Sequence, residues 1–157
     1  MHAETIPGLD QVAMRSRVLE IGCGTGHLAR QIARRGANVT AVDASADAIA
    51  EARSLTASHL GIEYRVVDIE RLAPRGFDLV ILHALPAPDV LVRLADAVRP
   101  GATLLVSGRH RSWWSRAAGL LPLSEIAGIA RAALPGCVLR RHFGGRYSLR
   151  WVKRQMG

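Results

Sequence analysis

Residues 18–29 read VLEIGCGTGHLA: an apolar run, three glycines two apart at Gly22, Gly24 and Gly26, and then the opening of a helix-like stretch. Glycine at that spacing lets a chain leave a strand, curl tightly and enter a helix, because a residue without a Cβ adopts left-handed backbone at little cost. A strand, a glycine loop and a helix in that order form the first unit of nucleoside-binding parallel sheets. The loop therefore points to an α/β chain and raises the question of which nucleoside it holds.

The rest of the chain continues the alternation. Further strands are expected at 38–43 (NVTAVD), 62–68 (IEYRVVD), 77–82 (FDLVIL) and 102–107 (ATLLVS), after VLEI at 18–21. Amphipathic stretches lie between them. Leu28, Ile32 and Ala33 share one helical face ahead of Gly36, and Ser45 is placed to cap a helix carrying Ala48, Ile49 and Ala52. Residues 69–76 are too short and proline-broken for a firm helix, 87–98 read as a helix before Pro100-Gly101, and Ser124 is expected to cap another through about Leu134. The runs CVLRRHF and RYSLRWVK around Gly144-Gly145 read as an antiparallel hairpin. Five strands in βα units plus a terminal pair make an α/β chain with a mainly parallel, seven-stranded sheet. The expected organisation is one domain over 1–157, with a short N-terminal segment at 1–17.

Composition narrows the classes. Hydrophobic residues make up 49% and charged residues 22%, ordinary for a globular protein. No stretch approaches about 18 uninterrupted apolar residues, so no membrane partner is expected. The start MHAETIPGLDQ has no basic and apolar leader pattern. Cys23 and Cys137 match no zinc spacing, and with no export signal they read as free thiols of a cytoplasmic protein. The net charge is +8, and Lys153 is the only lysine beside twenty arginines. Such charge favours anionic partners, but the arginines are spread along the chain, so a solvated basic surface is expected ahead of a nucleic-acid site.

The loop departs from a dinucleotide fingerprint, whose last glycine falls here on His27. An acid, Glu20, stands at the strand end instead; it would repel a pyrophosphate and suits a ligand carrying an ammonium group. Asp43, 21 residues beyond Gly22, ends the second strand where a carboxylate can accept ribose hydroxyls. Asp68 ends the third strand in VVDIERL and can accept from an adenine amino group. With VTAVDAS, VVDIERL, FDLVILHALP, VRPGATLLVSG and the final hairpin in order, the chain resembles the class I S-adenosylmethionine-dependent methyltransferases over nearly its whole length. The resemblance implies a Rossmann-like, doubly wound fold and S-adenosylmethionine as cofactor. It implies Gly22, Gly24 and Gly26, with Glu20 and Cys23, along the methionine half, Asp43 and Ala44 at the ribose, and Asp68 and Ile69 around the adenine. Cys23 reads as a small filler rather than a reactive thiol.

In that fold the methyl acceptor sits beyond the fourth and fifth strands. His83 follows the fourth strand and is the first candidate for a general base, with His110 second. Arg109 and Arg111 are placed to hold a carboxylate or phosphate on the acceptor, and Trp113 and Trp114 to wall an aromatic one. Residues 108–121 form the one obvious lid. No His/Asp/Glu cluster has the look of a metal site, so no metal is expected. His83-Ala84-Leu85-Pro86 replaces the Asn/Asp-Pro-Pro-aromatic motif of base-modifying amino methyltransferases. The expected function is methyl transfer to a small molecule, preferably at oxygen. An RNA or protein methyltransferase, and a non-catalytic cofactor-binding partner subunit, are the alternatives. The open acceptor face also suits a homodimer.

Overall fold

A computed structural model describes residues 12–111 and 119–155. Its strands are β1 (Arg17–Ile21), β2 (Asn38–Asp43), β3 (Glu63–Val66), β4 (Phe77–Leu82), β5 (Val98–Arg109), β6 (Val138–His142) and β7 (Arg146–Val152). Its helices are α1 (His27–Ala33), α2 (Ala46–Ser54), α3 (Pro88–Ala97) and α4 (Leu123–Ala133). The seven strands form one sheet in the order β3-β2-β1-β4-β5-β7-β6. The first five are parallel, and β7 runs antiparallel to β5 and β6. This is the doubly wound sheet expected, and its strand order reverses between β1 and β4. The carboxyl ends of those two strands are thus the switch point beside which sheets of this kind bind ligands in a crevice.

Alternation along the strands splits the core into two layers. On one face Val18, Val39, Ile81 and Leu105 pack with Leu28 and Ile32 of α1 and Ile49 of α2. On the other, Leu19, Val80, Leu104 and Leu149 pack with Leu91 and Leu94 of α3 and Ile126 of α4. Glu20 shares the α1/α2 side with Val18, and His83 continues that side two residues past Ile81. No described helix is long and apolar enough to cross a membrane.

Several elements differ in detail from the sequence reading. Strand β5 begins at Val98, not 102, because Phe77 pairs with Val98 before a register shift brings Leu79 opposite Thr103. Ser124 lies inside α4; Pro122 occupies the cap position with no side-chain hydrogen bond. Proline suits the start of a helix because it has no N–H to leave unpaired and its φ is already set. Ser45 does cap α2, its Oγ accepting from the Ala48 amide at 3.2 Å. Residues 69–71 form one 3₁₀ turn, and Gly144 and Gly145 both take the left-handed conformation a tight hairpin needs.

One contact ties the hairpin to the crevice. Tyr147 of β7 lies opposite Gly108 of β5, and its phenol, pushed up in pKa by burial, meets the Leu85 backbone after β4. The ring crosses Gly108 so closely that an added Cβ would stand 2.8 Å from the Tyr147 hydroxyl and 2.9 Å from Cζ. Gly108→Ala should therefore lower stability by about 1–3 kcal/mol in urea denaturation, the range typical of overpacking. In a Tyr147→Leu background the same substitution should cost less; an equal cost in both would contradict the account.

Candidate cofactor site and acceptor face

The glycine loop is shaped by backbone geometry first. Gly22, Gly24 and Gly26 have φ of 76°, 52° and 75°, all left-handed. The amides of Gly22 and Cys23 donate to the Val42 carbonyl at 2.9 and 3.1 Å, folding the loop over the end of β2. Asp43 completes the tie, its Oδ2 accepting from Gly24 N at 2.9 Å and its Oδ1 from Ser45 N at 2.9 Å. Each of its oxygens retains lone-pair capacity for a further donor. A Cβ built at Gly22 or Gly24 meets nothing within 4 Å, so both face open space. Gly26 differs: a Cβ there would stand 2.3 Å from the Tyr64 hydroxyl, so this glycine is required by packing as well as by φ.

Behind the loop sits Glu20, 1% exposed in the middle of the sheet. Its Oε1 lies 2.8 Å from Nε2 of His83, a pair joining β1 to the residue after β4. Its Oε2 is buried with no partner among the described residues. Leaving a buried acceptor unsatisfied costs about 1–3 kcal/mol, more for a charged one, so this oxygen marks a place for a donor. Cys23 packs beside it, 7% exposed, in the α1/α2 layer. Burial, then the charges of Glu20 and Asp43, push its thiol up to about 12. Such a thiol is a space-filling group rather than a nucleophile, and Cys137, also free, is raised by burial too.

The remaining candidates fall on two edges. Asp68 accepts from Glu70 N at 3.0 Å and starts the 3₁₀ turn that presents Ile69. Arg93 of α3 holds that turn from below, its Nη2 donating to the Ile69 carbonyl at 3.1 Å. Ala44 follows Asp43 directly, between β2 and α2. On the acceptor side Arg109 ends β5 opposite Arg146, and Arg109 and Arg111 are exposed. His110 between them is 4% exposed; its backbone N–H donates to the Gly145 carbonyl at 2.8 Å, its Nδ1 donates to the Arg111 carbonyl at 3.1 Å, and its Nε2 is buried without a partner among the described residues. Trp113 and Trp114, with half of the expected lid (112–118), lie outside the described residues. Among the described residues no cluster of His, Cys, Asp and Glu is placed to hold a metal. A cavity of about 530 Å³ lies at the opposite, amino end of the strands, lined by Ser16, Asp78, Arg99 and Gln155 among others, and includes none of these groups.

The profile of the methyltransferase domain family matches residues 18–101, from the first strand into the start of β5. The chain belongs to that family. Among curated proteins it is 33% identical to a ubiquinone biosynthesis O-methyltransferase of Bradyrhizobium sp. strain ORS 278, over 88% of this chain and 49% of the relative. It is 39% identical to one from Xanthomonas campestris pv. campestris strain B100, over 71% of this chain and 53% of the relative. The chain thus spans about half the length of the curated relatives it matches. Among solved structures, a TehB-like S-adenosylmethionine-dependent methyltransferase from Corynebacterium glutamicum superposes with a TM-score of 0.70 at 15% identity, over 94% of this chain and 88% of that one. A Haemonchus contortus phosphoethanolamine N-methyltransferase 2, bound to S-adenosyl-L-methionine, gives 0.74 at 17%, over 91% and 50%. These two establish the fold: class I, Rossmann-like.

The residues present fit the family's cofactor. An orphaned carboxylate oxygen behind the loop suits its ammonium group, the open faces of Gly22 and Gly24 leave room for the tail, and Asp43 offers acceptors for a ribose diol. Sequence reasoning named Glu20 and His83 separately and missed that they meet. The signal was present: both are polar residues ending apolar strands, and the parallel register sets Glu20 opposite Ile81, so His83 falls on the same face.

The Cys23 environment gives a pH dependence with a definite sign. The unfolded chain ionises this thiol near the ordinary value, whereas the folded chain keeps the proton to about 12. The folded state holds the extra proton across that window, so stability falls as pH rises through it. Urea denaturation from about pH 8 to about pH 10.5 should show that slope, reduced in Cys23→Ser; an unchanged slope in the variant would exclude Cys23 as its source.

Proposed function

We propose that the chain transfers a methyl group from S-adenosylmethionine to a hydroxyl oxygen of a small molecule, with His83 taking the hydroxyl proton. The cofactor, when bound, supplies an already activated methyl group, so the chain's tasks are to hold, orient and deprotonate. Glu20, Gly22, Gly24 and Asp43 hold the cofactor, Ala44 borders its ribose, and Asp68 and Ile69 border its adenine. The observation that carries the acceptor side is His83, one residue past β4 at the crevice and about one-third exposed (34%), paired with a buried carboxylate. A neutral amine would need no such base, whereas a hydroxyl does. The names of the two curated relatives described above, both O-methyltransferases, support oxygen as the acceptor atom.

A macromolecular acceptor is the second reading, and one observation favours it. From Arg99 to Arg154 the chain carries eleven cations against a single acid, Glu125. Phe143 at the hairpin tip is fully exposed (100%) beside exposed Arg140 and Arg141. Such a surface would bind RNA with strong salt dependence.

Transfer of labelled methyl groups into a fractionated cell extract separates these readings. Label in the organic-soluble fraction supports the small-molecule enzyme, and label in RNA or protein overturns it in favour of the second. His83→Ala should lower turnover by about 10²-fold or more, the usual contribution of a general base, with affinity for S-adenosylhomocysteine retained. Asp43→Ala should instead weaken that affinity. A fully active His83→Ala would remove the base assignment and leave His110 or proximity alone.

A further inference from the structure

The pairing of Glu20 with His83 carries more than either residue alone. We infer that Glu20, beyond the contact with the cofactor's ammonium group assigned to it above, is the positioning residue of His83, fixing the imidazole with hydrogen on Nε2 and the lone pair on Nδ1. This rests on the methyltransferase reading above and gives its base a specific atom.

A carboxylate only accepts hydrogen bonds, so at 2.8 Å from Oε1 the Nε2 of His83 must carry the hydrogen. A neutral ring then has its free lone pair on Nδ1. Among the described residues Nδ1 has no partner, and the side chain is accessible whereas Glu20 is sealed off. The base can be reached by an acceptor; the group that orients it cannot.

The arrangement is held by the sheet rather than by loops. Glu20 lies within β1, hydrogen-bonded on both sides by β2 and β4, and faces Ile81 two residues before His83. Sites anchored on strands are held more precisely than sites on loops. The charge of Glu20 is felt nearby, since it is one cause of the raised Cys23 thiol. The other nearby acid, Asp43, is engaged with the Gly24 and Ser45 amides, which leaves Glu20 as the acid in hydrogen-bond contact with the ring.

In the transfer step the acceptor's O–H bond breaks and its proton goes to Nδ1. The freed electron pair forms the new oxygen–carbon bond as the carbon–sulfur bond breaks, its pair remaining on sulfur. The imidazolium is stabilised through its Nε2–H by the Glu20 carboxylate and then returns its proton to solvent. The orphaned Oε2 gives the same carboxylate a second task. A charge-assisted hydrogen bond from an ammonium group there is of the kind whose loss lowers affinity by about 10-fold to 100-fold.

The test uses ¹⁵N NMR of the histidine ring, with His83→Ala to assign the signal, and two probes, S-adenosylhomocysteine and 5′-methylthioadenosine, which lacks the amino-acid tail. In the wild type His83 should show a protonated Nε2 and a bare Nδ1. Glu20→Gln, which offers an amide in place of a charge, should shift or mix that tautomer. It should also weaken S-adenosylhomocysteine by about tenfold or more relative to 5′-methylthioadenosine. A wild-type ring protonated on Nδ1 would overturn the inference, and needs no variant to fold. A Glu20→Gln protein with the tautomer unchanged would remove the positioning role, and one with the affinity ratio unchanged would remove the ammonium contact. If neither probe binds the wild type, the methyltransferase reading fails rather than this one.

Discussion

The hydrogen bond from the Gly24 amide to the Asp43 carboxylate is the contact on which the crevice depends. It joins the loop after β1 to the end of β2, and with the two amides on Val42 it fixes a segment that three left-handed glycines have made able to curl. Were the loop free to straighten, the open faces of Gly22 and Gly24 would not sit beside Glu20, and α1 would not start where Gly26 packs against Tyr64. Asp43 thus builds the loop with one set of lone pairs, and the others are free for the ribose contact proposed above.

The second constraint is the burial of charge. A carboxylate at the centre of a sheet is expensive unless it is paired, and Glu20 is paired on one oxygen only. Every other large side chain buried as fully among the described residues is apolar. The exception lies where the strand order reverses between β1 and β4. Polar groups buried against the grain of a core are usually there for chemistry, and here the partner is His83, the histidine proposed as the base.

Much of this was legible in the sequence, for identifiable reasons. The limits of β2 and β4 follow from apolar runs bounded by turn residues, and the left-handed glycines follow from spacing. The early start of β5 was not legible, because Arg99-Pro100-Gly101 reads as a turn; only the pairing of Phe77 with Val98 extends the strand across it. The cap of α4 was misplaced because Ser124 is a good cap in isolation, and Pro122 took the position by backbone geometry. At the site, Asp43 was legible as a strand-end acid, whereas Asp68, expected to end a strand over 62–68, lies two residues past β3 at the start of the 3₁₀ turn. The Glu20–His83 pair and the Arg93 brace under Ile69 were not legible, since both join residues far apart in sequence and depend on register and helix docking. Gly108 reads as the start of the lid at 108–121; in the structure it belongs to β5, with Tyr147 lying across it.

The central claim is that the cofactor is held at the carboxyl ends of β1, β2 and β3, with its ribose on Asp43 and its tail over Gly22 and Gly24. A crystal structure with S-adenosylhomocysteine tests it most directly. The account predicts density in that crevice, with both ribose hydroxyls on the Asp43 carboxylate and the amino group at Glu20 Oε2. Density in the amino-end cavity beside Asp78 and Arg99, with the glycine loop empty, would contradict it.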